Sequence, residues 1–283
     1  MRVVYLGTSG FAAAVLRRLA ETEHRPVLVV TRPDARQGRG RQVAPPPVAD
    51  VARELGIDLD QPPSVNDDEA RARISAARPD VVVVCAFGAL IKEPLLSEHD
   101  MLNVHPSLLP RWRGAAPVER AIMAGDTETG VSIMRVTAGL DSGPVYLQGR
   151  EPIAPADTYG SLAPRLQELS ARLLTETLDT RPEPWEQPEE GVTYAEKITA
   201  EDRTLDLSRP AKQNVDVVRA LEPHIVARLA LPDGTFLGVH EARATPDGEL
   251  ELVTVQPAGG RPMAYADYLR GHRPVPGTAA ASR

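Results

Sequence analysis

The chain of 283 residues is long enough for one large domain and a smaller one, and its 42% hydrophobic and 25% charged content is that of a soluble globular protein. No stretch nears the ~20 uninterrupted apolar residues that a membrane helix needs, and Val3–Leu6 is too short for the apolar region of a signal peptide. The net charge of −7 excludes an all-round basic surface, so a nucleic-acid partner would have to be met through local patches.

In chain order, Arg2–Leu6 reads as a buried strand, Phe11–Thr22 as a helix and Val27–Thr31 as a second strand. Val48, Val51, Ala52 and Leu55 make a helical stripe that Gly56 is placed to stop, and Asn66 is a candidate cap for a helix opening on Asp67, Asp68 and Glu69. Val81–Ala86 is a continuous β-branched run of the kind buried on both faces, and the single cysteine, Cys85, closes it as a small apolar residue. One cysteine excludes an intramolecular disulfide and a cysteine metal cage; no metal is expected, and the cytoplasm is the expected compartment. Leu102–His105, Val131–Val136 and Val145–Gln148 read as strands, and Val118–Ala124 and Tyr159–Leu178 as helices. This alternation predicts an α/β fold: a Rossmann-like, mostly parallel sheet with helices on both faces and its chemistry at the carboxyl ends of the strands.

The stretch Thr180–Pro188 has the composition of a linker. Beyond it come a helix, Ala211–Leu221, and short strands joined by Pro232-Asp233-Gly234 and Pro246-Asp247-Gly248 turns. The expected organisation is a large domain over 1–189, a linker over 190–204 and a small β-rich domain over 205–283.

Asn103 and His105 are two apart on a strand and so project from one face, and Pro106 ends the strand there. An amide beside an imidazole suits a reaction through a charged tetrahedral species, the amide holding the oxyanion and the imidazole handling a proton. Asp141, in Gly139-Leu140-Asp141-Ser142-Gly143, is a carboxylate on a tight loop that could orient that ring. Gly7-Thr8-Ser9-Gly10 is not the G-x-G-x-x-G of a dinucleotide site, which argues against a nicotinamide-dependent oxidoreductase. Thr31–Val43 carries Arg32, Arg36, Arg39 and Arg41 against Asp34, with Gly38 and Gly40 between, a composition suited to a phosphate backbone.

The run from Asn103 to Pro117, with its Arg111-Trp112-Arg113-Gly114-Ala115-Ala116-Pro117 portion, resembles the folate-dependent formyltransferases, and in particular the branch that acts on methionyl-tRNA. Ala124–Val131, Gly139–Gly143, Thr193–Ile198 and Gln256–Gly259 keep that family's order over nearly the whole chain. The resemblance implies a catalytic set of Asn103, His105 and Asp141, and folate contacts at Ser107, Leu108, Leu109 and Pro110. It also implies a pterin pocket shaped by Phe87, Gly88 and Leu90, and a tRNA-contacting loop with Arg36, Arg39 and Arg41. The implied donor is 10-formyltetrahydrofolate, the implied acceptor initiator methionyl-tRNA, and the implied second domain an OB-like barrel; a monomer is expected. That barrel is shortened here, with Phe236–Val255 lacking roughly two strands, and it is not basic, with 10 Lys and Arg against 11 Asp and Glu from Glu201 on. The alternative acceptor is an amino-sugar nucleotide or another small amine; a non-catalytic binding module would have no use for His105.

Overall fold

Apolar β-branched runs without a polar face cannot rest against water, and here they form the centre of the fold. In the computed structural model, which describes residues 1–37 and 42–280, the strands Val3–Gly7 and Val81–Cys85 lie side by side in parallel with every residue buried. They occupy the middle of a seven-stranded sheet. Its order is Val145–Pro152, Glu128–Arg135, Met101–His105, Val81–Cys85, Val3–Gly7, Leu28–Val30 and Asp58–Asp60. The five strands from Met101–His105 to Asp58–Asp60 pair in parallel, and Glu128–Arg135 runs antiparallel to Met101–His105. This is the Rossmann-like, mostly parallel sheet that the alternating pattern predicts.

The chain folds as two compact units. The first comprises residues 1–115, 130–151 and 165–194, and the second 116–129, 152–164 and the chain from Ala195 onward. In the first unit Val4, Leu6, Val82, Val84, Ile74 and Met101 share one hydrophobic cluster. Each such buried aliphatic side chain contributes about 1.5–3 kcal/mol relative to exposure.

Helix ends follow local chemistry. The helix Gly10–Ala20 starts at Ser9, whose hydroxyl accepts from the Ala12 amide, and Pro47–Leu55 stops at Gly56 with φ +65°. The helix Asp68–Ala76 departs from expectation: its N-cap is Asp67. Asn66 is committed elsewhere, its amide donating to the Leu90 carbonyl and accepting from the Lys92 N–H, both at 2.8 Å.

In the second unit the helix Ala211–Leu221, with the span read from the sequence, packs on Pro117–Met123 and on Phe236–Ala244. The strands Ala227–Ala230, Phe236–Ala244, Leu250–Gln256 and Met263–Ala264 are antiparallel neighbours, and Thr278–Ala280 pairs parallel with Leu250–Gln256. The Asp-Gly turns form as the sequence suggests: Gly234 and Gly248 take φ of +81° and +83°, and Asp233 accepts from the Thr235 N–H and hydroxyl. The result is the small β-domain, consistent with a shortened barrel. Among the described residues no helix is long and apolar enough to cross a membrane.

Candidate active site

The strand Met101–His105 delivers the first two functional side chains. Its i, i+2 spacing places Asn103 and His105 on one face; Asn103 is half-buried and His105 only 3% exposed. Past Pro106 the chain turns back and is pinned. The Ser107 hydroxyl donates to the Arg111 carbonyl at 2.6 Å, Ser132 donates to the Ser107 carbonyl at 2.7 Å, and Gln148 donates to the Leu109 carbonyl at 3.1 Å. These bonds satisfy the polar groups of a loop in which Ser107 and Leu109 are buried.

Asp141 completes the group. Its Oδ1 accepts from Asn103 Nδ2 at 3.1 Å, its Oδ2 accepts from the Gly114 N–H at 2.9 Å, and the same Oδ2 lies 3.6 Å from His105 Nδ1. The other ring nitrogen, Nε2, sits 2.8 Å from the Trp112 carbonyl. A carbonyl only accepts, so Nε2 carries the proton in this contact. Both ring nitrogens therefore face oxygen atoms of the protein, which fixes the imidazole on two sides. The bond to Asp141 also fixes the Asn103 amide, turning Nδ2 toward the carboxylate.

The backbone around the site sits in unusual conformations. Ala86, Trp112 and Asp141 have φ of +41°, +64° and +44°. A left-handed conformation is tolerated by Asp but costs a residue such as Trp about 1–3 kcal/mol, and it persists only where surrounding bonds hold it. At Trp112 those bonds are present: its N–H donates to Thr193 Oγ1 at 2.8 Å, and the next N–H, of Arg113, donates to the Thr193 carbonyl at 2.9 Å. The Arg111 guanidinium lies 4.4 Å from the Trp112 ring centre.

The structure thus brings Asn103, His105 and Asp141 into one hydrogen-bonded group. Of the residues read as folate contacts, Ser107 and Leu109 are buried, while Leu108 and Pro110 are half-buried. Phe87 is buried with its carbonyl accepting from the Thr8 hydroxyl, Gly88 is exposed with φ +73°, and Leu90 is 69% exposed. Arg36 is exposed on Ala35–Gln37, which pairs antiparallel with Gln42–Ala44, so these described parts of the segment read as a loop are strands; Arg39 and Arg41 lie outside the described residues. Cys85 is wholly buried, and burial pushes its thiol up to about 12, so it is a neutral packing group at ordinary pH.

Two side chains at this site carry no sequence signal. Gln187 lies in the proline-rich segment, yet its amide donates to the Asp141 and Gly143 carbonyls and accepts from Arg113. Thr193 belongs to a family-like motif, but nothing in that motif says that its hydroxyl holds Trp112. Among the described residues, Glu23, His24 and Asp179 place ligand atoms within 4.8 Å of one another. A bond of 2.6 Å between His24 and Asp179 accounts for part of that cluster, and it shares no residue with the Asn103 group.

A family model described as formyl transferase matches residues 1–178. The chain is 42% identical over 306 residues to a methionyl-tRNA formyltransferase of Halorhodospira halophila, an alignment covering 98% of each chain. Among solved structures, the methionyl-tRNA formyltransferase from Clostridium thermocellum superposes with a TM-score of 0.65 at 16% identity, over 91% of this chain and 98% of that one. The N-formyltransferase from Helicobacter canadensis, solved in complex with folinic acid and dTDP-3-aminofucose, gives 0.64 at 14% identity over 87% and 88%. At such identities the two structures speak for the fold alone.

Proposed function

The chain belongs to the methionyl-tRNA formyltransferases, and from that premise we infer that it transfers a formyl group to the free amino group of initiator methionyl-tRNA, giving formylmethionyl-tRNA for translation initiation. The observation that carries the chemistry is the meeting of Asn103, His105 and Asp141 through one carboxylate.

In this reading the donor is 10-formyltetrahydrofolate, which supplies the one-carbon group. Side-chain-free Gly88 and exposed Leu90 suit a flat heterocycle, with half-buried Leu108 and Pro110 as the accessible part of the 107–110 segment, Ser107 and Leu109 supporting it from within, and Phe87 packed beneath. The amine of the aminoacyl end attacks the formyl carbon. Asn103 gives one N–H to Asp141 and keeps a second for the oxygen on which negative charge builds. His105, oriented by Asp141, exchanges its Nε2 bond to the Trp112 carbonyl for a water when substrate is bound, and through that water guides a proton toward the departing nitrogen. Asp141 positions both.

Arg36, Arg39 and Arg41 contact the acceptor stem in this account, and residues 205–283 make further tRNA contacts, with 1–189 carrying catalysis and 190–204 linking the two. The protein acts as a cytoplasmic monomer without a metal. The test supplies donor labelled in its formyl carbon together with charged initiator tRNA. Label should be recovered on the methionine released by mild alkaline hydrolysis of the tRNA; methionine without label would refute the assignment.

A further inference from the structure

We propose that Gln187 is a positioning residue for formyl transfer, its amide fastening the Asp141 turn to Arg113 and so setting the carboxylate against Asn103 and His105; the role in transfer rests on the function inferred above. The residue lies where composition reads as a linker, Arg181-Pro182-Glu183-Pro184-Trp185-Glu186-Gln187-Pro188. The segment is instead tied down. Trp185 and Val145 exchange two backbone hydrogen bonds, the Val145 N–H donating at 2.8 Å and the Trp185 N–H at 2.9 Å. Its prolines restrict the chain on either side, which lowers the entropy lost in holding it there.

From that anchored position the Gln187 amide makes four contacts. Nε2 donates to the Asp141 carbonyl at 2.9 Å and to the Gly143 carbonyl at 2.8 Å. Oε1 accepts from Arg113 Nε at 3.0 Å and Nη2 at 2.7 Å. Both N–H bonds of the amide are used, and both lone pairs of its oxygen, so the donor and acceptor capacity is filled. One side chain thus joins the turn that carries Asp141 to the segment whose Gly114 N–H donates to Asp141 Oδ2 and whose Trp112 carbonyl holds His105.

The turn has reason to need such a clamp. The Asp141 and Gly143 carbonyls both turn to the Gln187 amide, whose two N–H groups satisfy them. A Cβ at Gly139 would collide with Ser142 Oγ and one at Gly143 with the Arg135 carbonyl, so both positions need glycine, and glycine leaves the turn more backbone freedom for outside bonds to restrain. Without the Gln187 donors, the carboxylate would keep its partners only as well as an unsupported turn allows.

Gln187→Glu gives the cleanest test. It keeps size and the attraction to Arg113 but replaces the two donors with an acceptor facing two carbonyls. In the full chain, with charged initiator tRNA and 10-formyltetrahydrofolate, kcat should fall ~10–100-fold, the scale of a small misplacement of reacting groups, with both KM values within about threefold. Gln187→Leu should behave alike. Placed in an Asp141→Asn background, Gln187→Glu should cost less than about threefold more, because two residues acting through one contact are not additive. The 15N ring signals of His105 should also move in Gln187→Glu while the fold, read from the remaining amide signals, stays intact. Near-native kcat, additive losses or unmoved His105 signals would each overturn the proposal. If the wild-type chain transfers no formyl group to tRNA, the functional reading fails by itself, and the His105 signals alone then decide whether Gln187 sets this site.

Discussion

Replacing Asp141 with asparagine separates shape from charge at the point where the site converges. The backbone at φ +44° suits Asn as well as Asp, so the turn itself is not strained by the change. The hydrogen bonding is. Asp141 offers two acceptor oxygens, one to Asn103 Nδ2 and the other to the Gly114 N–H. Asparagine has one oxygen and one NH2 group, so in either orientation one of those two donors meets another donor. Losing a hydrogen bond to a charged acceptor at a site that is largely shielded costs about 1.5–3 kcal/mol, a modest fall in melting temperature for a chain of this size. The effect on catalysis should be larger: the carboxylate facing His105 Nδ1 is gone and the Asn103 amide is free to turn. Turnover should drop ~10²–10⁴-fold, the range for a group that governs acid–base catalysis. The assay is single-turnover formylation of charged initiator tRNA beside a thermal melt. A folded Asp141→Asn protein with turnover within about threefold of wild type would refute the argument that this carboxylate organises the site.

His105→Ala should lose turnover on the same ~10²–10⁴-fold scale while folate binding, measured by fluorescence titration, changes little. Arg36→Ala should flatten the salt dependence of tRNA affinity by about one unit of log–log slope if Arg36 meets a phosphate, and an unchanged slope would remove it from the interface. Cys85 should resist thiol reagents in the folded protein near neutral pH and react fully once unfolded, since burial keeps it a neutral thiol; rapid native labelling would contradict its placement. Asp202 is held down to about 2, chiefly by its hydrogen bond from Arg120, with Thr199 adding to it. An acid depressed in the folded state adds stability above its unfolded pKa, near 4, and that stability is lost as pH falls toward 2. The melting-temperature gap between wild type and Asp202→Asn should therefore narrow from pH ~5 to pH ~3, and a gap constant with pH would assign the loss to something other than charge.

Much of the frame was legible because it rests on short-range patterns. The all-apolar Val81–Val84 run could only be a strand buried on both faces, and the helix at 211–221 followed from its spacing after Pro210. Asn103 and His105 were legible as a pair because strand geometry makes i and i+2 neighbours. What could not be read depends on partners distant in the chain. Asn66 looks like a cap, but Lys92 and the Leu90 carbonyl claim its amide. The burial of His105 against the Trp112 carbonyl requires a left-handed tryptophan that Thr193 supports from 81 residues away. Gln187 sits among prolines that announce only stiffness, and its partners lie 44, 46 and 74 residues earlier.

The central claim is that the acceptor is the amine of a charged tRNA and not that of a small molecule. The most direct measurement compares kcat/KM for charged initiator tRNA, free methionine and an amino-sugar nucleotide, with 10-formyltetrahydrofolate as donor throughout. A preference for charged tRNA of at least several orders of magnitude is predicted, because the acceptor stem offers a run of phosphates, where an amino-sugar nucleotide has one diphosphate and free methionine none, and that extra binding energy can be used in the transition state. Equal or better use of the amino-sugar nucleotide would contradict the account.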